Sequence, residues 1–281
     1  KKEMLNMALI KVDFFSQSLM RTVTINALIP VDKVIEEEQE FKRKQYKTLY
    51  LLHGIFGNYT DWICGTRIQR WAQDHDLAVI MPSGENKFYV DNEKSHEYYS
   101  KFIGEELVDV TRRLFPLSKQ KEDTFIAGLS MGGYGAITNG LKYYKTFGCI
   151  AALSSALLID SLPNAKDGDD IPYLNKRSYL ESVFGDLDQV KGSDKDYEAL
   201  LLKVNQKEMP KIYMACGKDD RLLQVNRDFR DYLKNHQVDV LYEEGEGKHE
   251  WDFWDRYIYR VLEWLPLNDK EEGISSGNVG V

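Results

Sequence analysis

Five consecutive residues, Gly128-Leu129-Ser130-Met131-Gly132, hold the most chemically suggestive pattern in the chain. They follow the apolar run TFIA (124–127) and precede GGYGAITNG, a stretch of small residues with a helical period. A strand, then G-x-S-x-G, then a helix is the arrangement of a nucleophile elbow. The turn is so sharp that the residues flanking the serine must lack a Cβ for strand and helix to approach. It leaves the Ser130 hydroxyl at the C-terminal edge of a sheet and at a helix N-terminus. There the helix dipole and unpaired N–H groups favour a developing negative charge. Five letters alone also fit a tight turn with an incidental serine; the flanking strand and helix argue for a nucleophile.

A serine hydroxyl is a poor nucleophile at neutral pH and needs a base and a group that orients the base. After an elbow of this kind the partners follow in the order Ser, Asp/Glu, His, on loops beyond later strands. The run KIYMA (211–215) leads into CGKDDRL, and DVLYE (239–243) leads into EGEGKHEW. Both place the needed residue at the C-terminal end of a strand, where open α/β sheets build their sites. Asp219 and Asp220 compete as the acid: one would face the imidazole and the other cap the next helix, and spacing does not separate them. Of the five histidines, only His249 occupies the final slot. His75 and His236 fall at polar helix ends and read as solvated, while His96 lies in a charged, aromatic loop without an evident partner.

An oxyanion formed at Ser130 needs two N–H donors, one from the residue after the nucleophile and one from a loop after an earlier strand. Met131 supplies the first. For the second, KTLYLL (47–52) runs into His53-Gly54-Ile55-Phe56-Gly57-Asn58, a glycine-bracketed turn that can leave an N–H free. Ile55 is the expected donor and Phe56 its alternative, with His53 hydrogen-bonding to steady the loop. Phe56, Tyr59, Trp62, Tyr89, Trp251 and Trp254 crowd the same loops. Phe56, Trp62 and Trp251 are the candidates for an acyl or alcohol pocket, although Trp251 and Trp254, three residues apart beside a helix, also suit core packing. No His/Asp/Glu cluster has metal-ligand spacing, so neither metal nor cofactor is expected.

The elements that must position these groups are legible as short apolar runs. Those at 47–52, 77–81, 124–127, 149–153, 211–215 and 239–243 are nearly continuous, as in strands buried on both faces of a parallel sheet. Two further strands, 10–15 and 21–28, precede them. Helical periods at 66–75, 104–115, 132–144, 225–235 and 253–265 fall between. Strands alternating with helices predict one α/β domain over 1–281, its mostly parallel sheet covered on both faces. Residues 160–208 are polar, weakly periodic and too long for a plain loop, so they read as a lid-like excursion or a short helical insertion. Residues 267–281 read as a peripheral tail. The charge run EEEQEFKRKQYK reads as a solvated connection.

Composition narrows the classes. The 281 residues carry a net charge of −8, which gives no electrostatic footprint for nucleic acid or anionic lipid. The longest apolar stretch, 149–159, contains Ser154 and Ser155 and falls short of the roughly 18 residues a membrane span needs. The first residues lack the apolar block of a secretory signal, and Met7 reads as a natural start with 1–6 a remnant ahead of it. Cys64, Cys149 and Cys216 match no zinc pattern, and Cys149 and Cys216 read as reduced core thiols. A cytoplasmic protein is expected.

Taken together, LLHGIFGNYTDW, PSGENKFYVDN, GLSMGGYGA, ESVFGDLDQVKGSD, CGKDDRLL and GKHEWDFW resemble the putative-esterase family of α/β-hydrolases, over roughly residues 8–265. That family includes esterase D (S-formylglutathione hydrolase), feruloyl and acetylxylan esterases and mycolyltransferases, and the likeness is nearest to its bacterial tributyrin esterase branch. In the family pattern the acid lies two positions before the leucine of Gly-x-x-Asp-x-Leu, which selects Asp220 over Asp219. The histidine of Gly-x-His-x-Trp matches His249, and the residue after His-Gly matches Ile55. The resemblance implies a cofactor-free serine carboxylesterase whose partner is a small, short-chain acyl ester; a homo-oligomer is compatible with it. The same machinery would serve a thioester or an acetylated or feruloylated sugar. A non-catalytic scaffold of this fold is the rival from another class. An insertion near 36–44 departs from the family and falls on an early strand connection.

Overall fold

The computed structural model describes residues 7–31 and 45–267, so the insertion near 36–44, residues 1–6 and nearly all of the 267–281 tail lie outside the described residues. An eight-stranded sheet forms the centre. Its strands are β1 (Ala8–Ser16), β2 (Arg21–Ile29), β3 (Thr48–Leu52), β4 (Ala78–Pro82), β5 (Thr124–Leu129), β6 (Cys149–Leu153), β7 (Lys211–Gly217) and β8 (Val240–Gly245). In space the order is β1-β2-β4-β3-β5-β6-β7-β8. β1 and β2 form an antiparallel hairpin, and β2 also meets β4 antiparallel. From β4 to β8 every pairing is parallel.

The parallel run follows from composition. Every residue of β3, β4, β5 and β6 is buried, so both faces of these strands are apolar. Alternation then divides the core in two. Tyr50, Leu52, Ile80, Ile126 and Ile150 face one layer. Leu49, Leu51, Val79, Phe125 and Ala151 face the other.

The helices described are α1 (Asp61–Gly65), α2 (Ile68–Asp74), α3 (Leu107–Leu114), α4 (Met131–Lys142), α5 (Arg177–Phe184), α6 (Tyr197–Lys203), α7 (Leu223–Asn235) and α8 (Trp251–Trp264). Two sit where the sequence leads one to expect something simpler. The helix expected over 66–75 is found as α2, and a further short helix, α1, precedes it across an extended Thr66 (φ −143°). The one expected from 104 begins earlier: Tyr99–Lys101 runs through a π-helical turn, Phe102–Glu106, into α3. α4 is buried from Met131 to Leu141 against the sheet, and α8 buries Phe253, Ile258, Val261 and Leu262 on the other face. Each such side chain contributes roughly 1.5–3 kcal/mol of burial.

Residues 160–208 hold α5 and α6 with short 3₁₀ turns before, between and after them, a helical insertion. It packs against the loop after β4: Asn92 Nδ2 donates to the Ser182 carbonyl (2.9 Å), and Phe88 and Phe184 meet at 5.2 Å. Among the described residues no helix is long and apolar enough to cross a membrane, and no cluster of three His, Cys, Asp or Glu could hold a metal.

Candidate active site

The loops after β3, β4, β5, β6, β7 and β8 all emerge at the C-terminal edge of the sheet, and the chemistry gathers there. Ser130 follows β5 and caps α4 in a backbone conformation (φ 53°, ψ −116°) that a non-glycine residue adopts only under constraint. The constraint is visible. Its N–H donates to the Leu153 carbonyl at 2.8 Å, and its own carbonyl accepts from Tyr134 and Ala156, each at 3.0 Å. A Cβ on Gly128 would land on the Gly132 carbonyl, and one on Gly132 would land on the Leu52 carbonyl. No side chain fits two residues to either side of the serine.

Ser130 Oγ lies 3.0 Å from His249 Nε2, and His249 Nδ1 lies 2.9 Å from Asp220 Oδ2. A carboxylate only accepts, so Nδ1 carries the proton and donates; Nε2 is left with its lone pair toward the serine hydroxyl. The two loops are laced together. Lys218 N–H donates to the Gly245 carbonyl (2.9 Å) and Asp219 N–H to the Gly247 carbonyl (3.1 Å), which continues the β7–β8 pairing into the turns that carry Asp220 and His249.

The two adjacent aspartates separate by burial. Asp219 is exposed, whereas the Asp220 side chain has no exposed surface. The expected division of labour fails: Asp220 both meets the imidazole and accepts the Leu222 N–H at the start of α7 (2.8 Å). Burial alone would push its carboxyl up. Hydrogen bonds from His249 and the Leu222 N–H, the His249 charge and a hydrogen bond with Ser154 outweigh that, and the group sits below its ordinary value. Cys216 nearby is no rival nucleophile, because burial, reinforced by the Asp220 charge, pushes its thiol up to about 12.

Two N–H groups beside Ser130 have no acceptor among the described residues: Met131, first residue of α4, and Ile55, in the loop after β3. The alternative, Phe56, spends its N–H on Asn86 Oδ1 (2.8 Å). His53 holds this loop in a single tautomer. The Gly84 N–H donates to Nε2 (2.8 Å), so the Nδ1–H donates to the Gly54 carbonyl (2.6 Å). Burial pushes the His53 pKa down, which keeps it neutral as these contacts require. Tyr89 OH adds a bond to the His53 carbonyl (3.0 Å), and Tyr179 OH of α5 holds the Asn86 carbonyl (2.8 Å).

The aromatic expectations divide. Phe56 is 70% exposed, on the loop that carries Ile55. Trp62 is corrected to a core residue: it is 1% exposed and its indole donates to the Leu52 carbonyl (3.0 Å). Trp251 is wedged edge-on between Trp62 (5.7 Å) and Trp254 (5.2 Å), which suits packing better than a pocket wall. Trp254 stands edge-on to the His249 ring at 4.9 Å. His75, expected in solvent, is buried, and His236 bonds the Tyr232 carbonyl at the end of α7. Motif reasoning assigned no role to Asn86, within PSGENKFYVDN, or to Ser154, at the tip of β6. Polar residues directly after a buried strand were the available signal.

A mostly parallel sheet with an antiparallel leading hairpin, flanked by helices and carrying a serine elbow, an acid and a histidine on the loops after β5, β7 and β8, defines an α/β-hydrolase. The model of the family described as putative esterase matches residues 16–265, and the chain belongs to that family. It is 48% identical over 262 residues to the acetyl esterase of Caldicellulosiruptor saccharolyticus, covering 92% of this chain and 98% of that one. Among solved structures, the fluorophosphonate-binding serine hydrolase F of Staphylococcus aureus superposes with a TM-score of 0.80 at 34% identity, over 92% of this chain and 98% of that one. The S-formylglutathione hydrolase of the same organism gives 0.78 at 33%, over 92% and 99%. The protein is a carboxylic ester hydrolase of the serine hydrolase type.

Proposed function

We propose that the enzyme hydrolyses short-chain acyl esters through an acyl-enzyme on Ser130, with His249 as base and Asp220 as its orienting acid. One observation carries the reading: an unbroken chain from Ser130 Oγ through the imidazole to the Asp220 carboxylate, with links of 3.0 and 2.9 Å. His249 Nε2 takes the hydroxyl proton as Oγ attacks the ester carbonyl. The bond to the carbonyl carbon forms, and its π pair moves onto oxygen. The Met131 and Ile55 N–H groups receive that oxyanion. As the tetrahedral intermediate collapses, the imidazolium returns the proton to the departing alcohol. Water then repeats the sequence on the acyl-enzyme, and the acid leaves. Asp220 holds the imidazole in the tautomer that can accept and stabilises the imidazolium.

The 48%-identical acetyl esterase supports a small acyl group, and tributyrin-type glycerides are the natural extension. A thioester such as S-formylglutathione is the second reading, supported by the 33%-identical hydrolase named for it. Both carbonyls pass through the same kind of oxyanion, so rates must decide. The test is a panel of p-nitrophenyl acetate and butyrate, tributyrin, acetylated sugars, methyl ferulate and S-formylglutathione, run beside Ser130→Ala. The expected result is highest kcat/KM on acetyl or butyryl esters, and loss of nearly all activity in a folded Ser130→Ala. Activity retained in that variant removes Ser130 from the mechanism; a wild-type protein that no fluorophosphonate labels restores the scaffold reading.

A further inference from the structure

Ser154 is the first residue after β6, fully buried, and its backbone is left-handed (φ 47°). A non-glycine residue pays strain for that conformation and keeps it where the surroundings dictate it. Here they do so from two sides. The Ser154 N–H donates to the Ala215 carbonyl at 2.8 Å, and the Trp254 indole Nε1–H donates to Ser154 Oγ at 3.1 Å. The same indole stands edge-on to the His249 imidazole, 4.9 Å away and at 90°. A hydroxyl that accepts from an indole keeps its own proton to give. It acts to lower both the Asp220 carboxyl and the Cys216 thiol.

The tip of β6 therefore bears on two members of the catalytic chain. Leu153 accepts the Ser130 N–H, and the next residue anchors the indole that stands against the His249 ring. Asp220 receives donors from two elements: His249 from the loop after β8 and Leu222 from the start of α7.

We infer that Ser154 and Trp254 are positioning residues of the acid–base pair: the Ser154 hydroxyl, fixed at the strand end that holds Ser130, accepts from the Trp254 indole and so holds it as a wall against the His249 ring. The inference rests on the triad reading above.

Ser154→Gly is the discriminating variant, because glycine accepts a positive φ without strain and only the hydroxymethyl group is lost. Trp254→Phe keeps an aromatic wall and removes the indole donor. Each is expected to lower kcat for p-nitrophenyl butyrate by roughly tenfold, the upper order for the loss of one hydrogen bond, with KM within about twofold. The double variant should be little slower than Ser154→Gly, since both act through one chain. The downfield proton NMR resonance of the His249 Nδ1–H bonded to Asp220 should move upfield in both. Wild-type protein that a fluorophosphonate fails to label at Ser130 sinks the triad reading itself. Labelled wild type together with folded variants whose kcat and Nδ1–H resonance are unchanged overturns the positioning role alone, as does a loss confined to KM.

Discussion

Asp220→Asn tests the charge logic of the site with almost no change in shape. The Leu222 N–H, 2.8 Å from Oδ1, needs an acceptor, so the amide oxygen of the new asparagine stays on that side. Its NH₂ then faces His249 Nδ1, where Oδ2 stands at 2.9 Å in the wild type. Two donors cannot share a hydrogen bond, so the imidazole must move its proton to Nε2 and turn Nδ1 into the acceptor. Nε2–H then points at Ser130 Oγ and cannot take its proton. Such an inversion costs about 10⁴ in kcat in another triad enzyme, or roughly 5 kcal/mol at ~1.36 kcal/mol per decade. Initial rates on p-nitrophenyl butyrate should show that loss with little change in KM, whereas Asp219→Asn, at an exposed neighbour, should stay within about twofold of wild type. A loss below tenfold in Asp220→Asn would refute the tautomer argument.

The same substitution has a pH signature, and two others probe the loops. Because the native carboxyl of Asp220 titrates below its ordinary value of 3.8, its contribution to stability is fully present above that value and is lost as pH falls through the native one. Urea unfolding of wild type against Asp220→Asn should therefore show a gap at pH 7 that narrows below pH ~4. Gly132→Ala drives a Cβ into the Leu52 and His53 carbonyls, backbone that cannot swing aside. Calorimetry should record a loss of about 1–3 kcal/mol, or roughly 2–12 °C in Tm, with esterase activity lost as the elbow is displaced. Asn86→Ala leaves the Phe56 N–H without its acceptor and frees the loop that carries Ile55. Steady-state rates should fall roughly tenfold in kcat, short of the 10²–10³ for losing an oxyanion donor outright, with the larger change in kcat than in KM.

Much of this was legible in the chain because it is local. An apolar run of five or six residues with no polar face can only be a strand covered on both sides, which is why β3, β5 and β6 stand where their sequences place them. Ser130 was equally legible, since the glycines that permit its turn lie within two residues of it. Local irregularities were harder: helical periodicity passes over the short helix α1 and the π turn ahead of α3.

Whatever depends on which of two neighbours turns inward was decided by tertiary structure. Asp219 and Asp220 are chemically the same; the lacing of the β7 turn to the β8 turn buries one and exposes the other. Ile55 and Phe56 both carry a backbone N–H, and only the arrival of Asn86 from the loop after β4 removes Phe56 from contention. Trp62 looked like a pocket residue by its loop, yet a carbonyl at the end of β3 drew its indole into the core. Ser154 had no motif, because its partner Trp254 lies 100 positions further along the chain. Sequence specifies which side chains can react and which segments must form strands and helices, through interactions a few residues long. The register between distant strands then selects, from chemically equivalent candidates, the ones whose atoms come within hydrogen-bond reach.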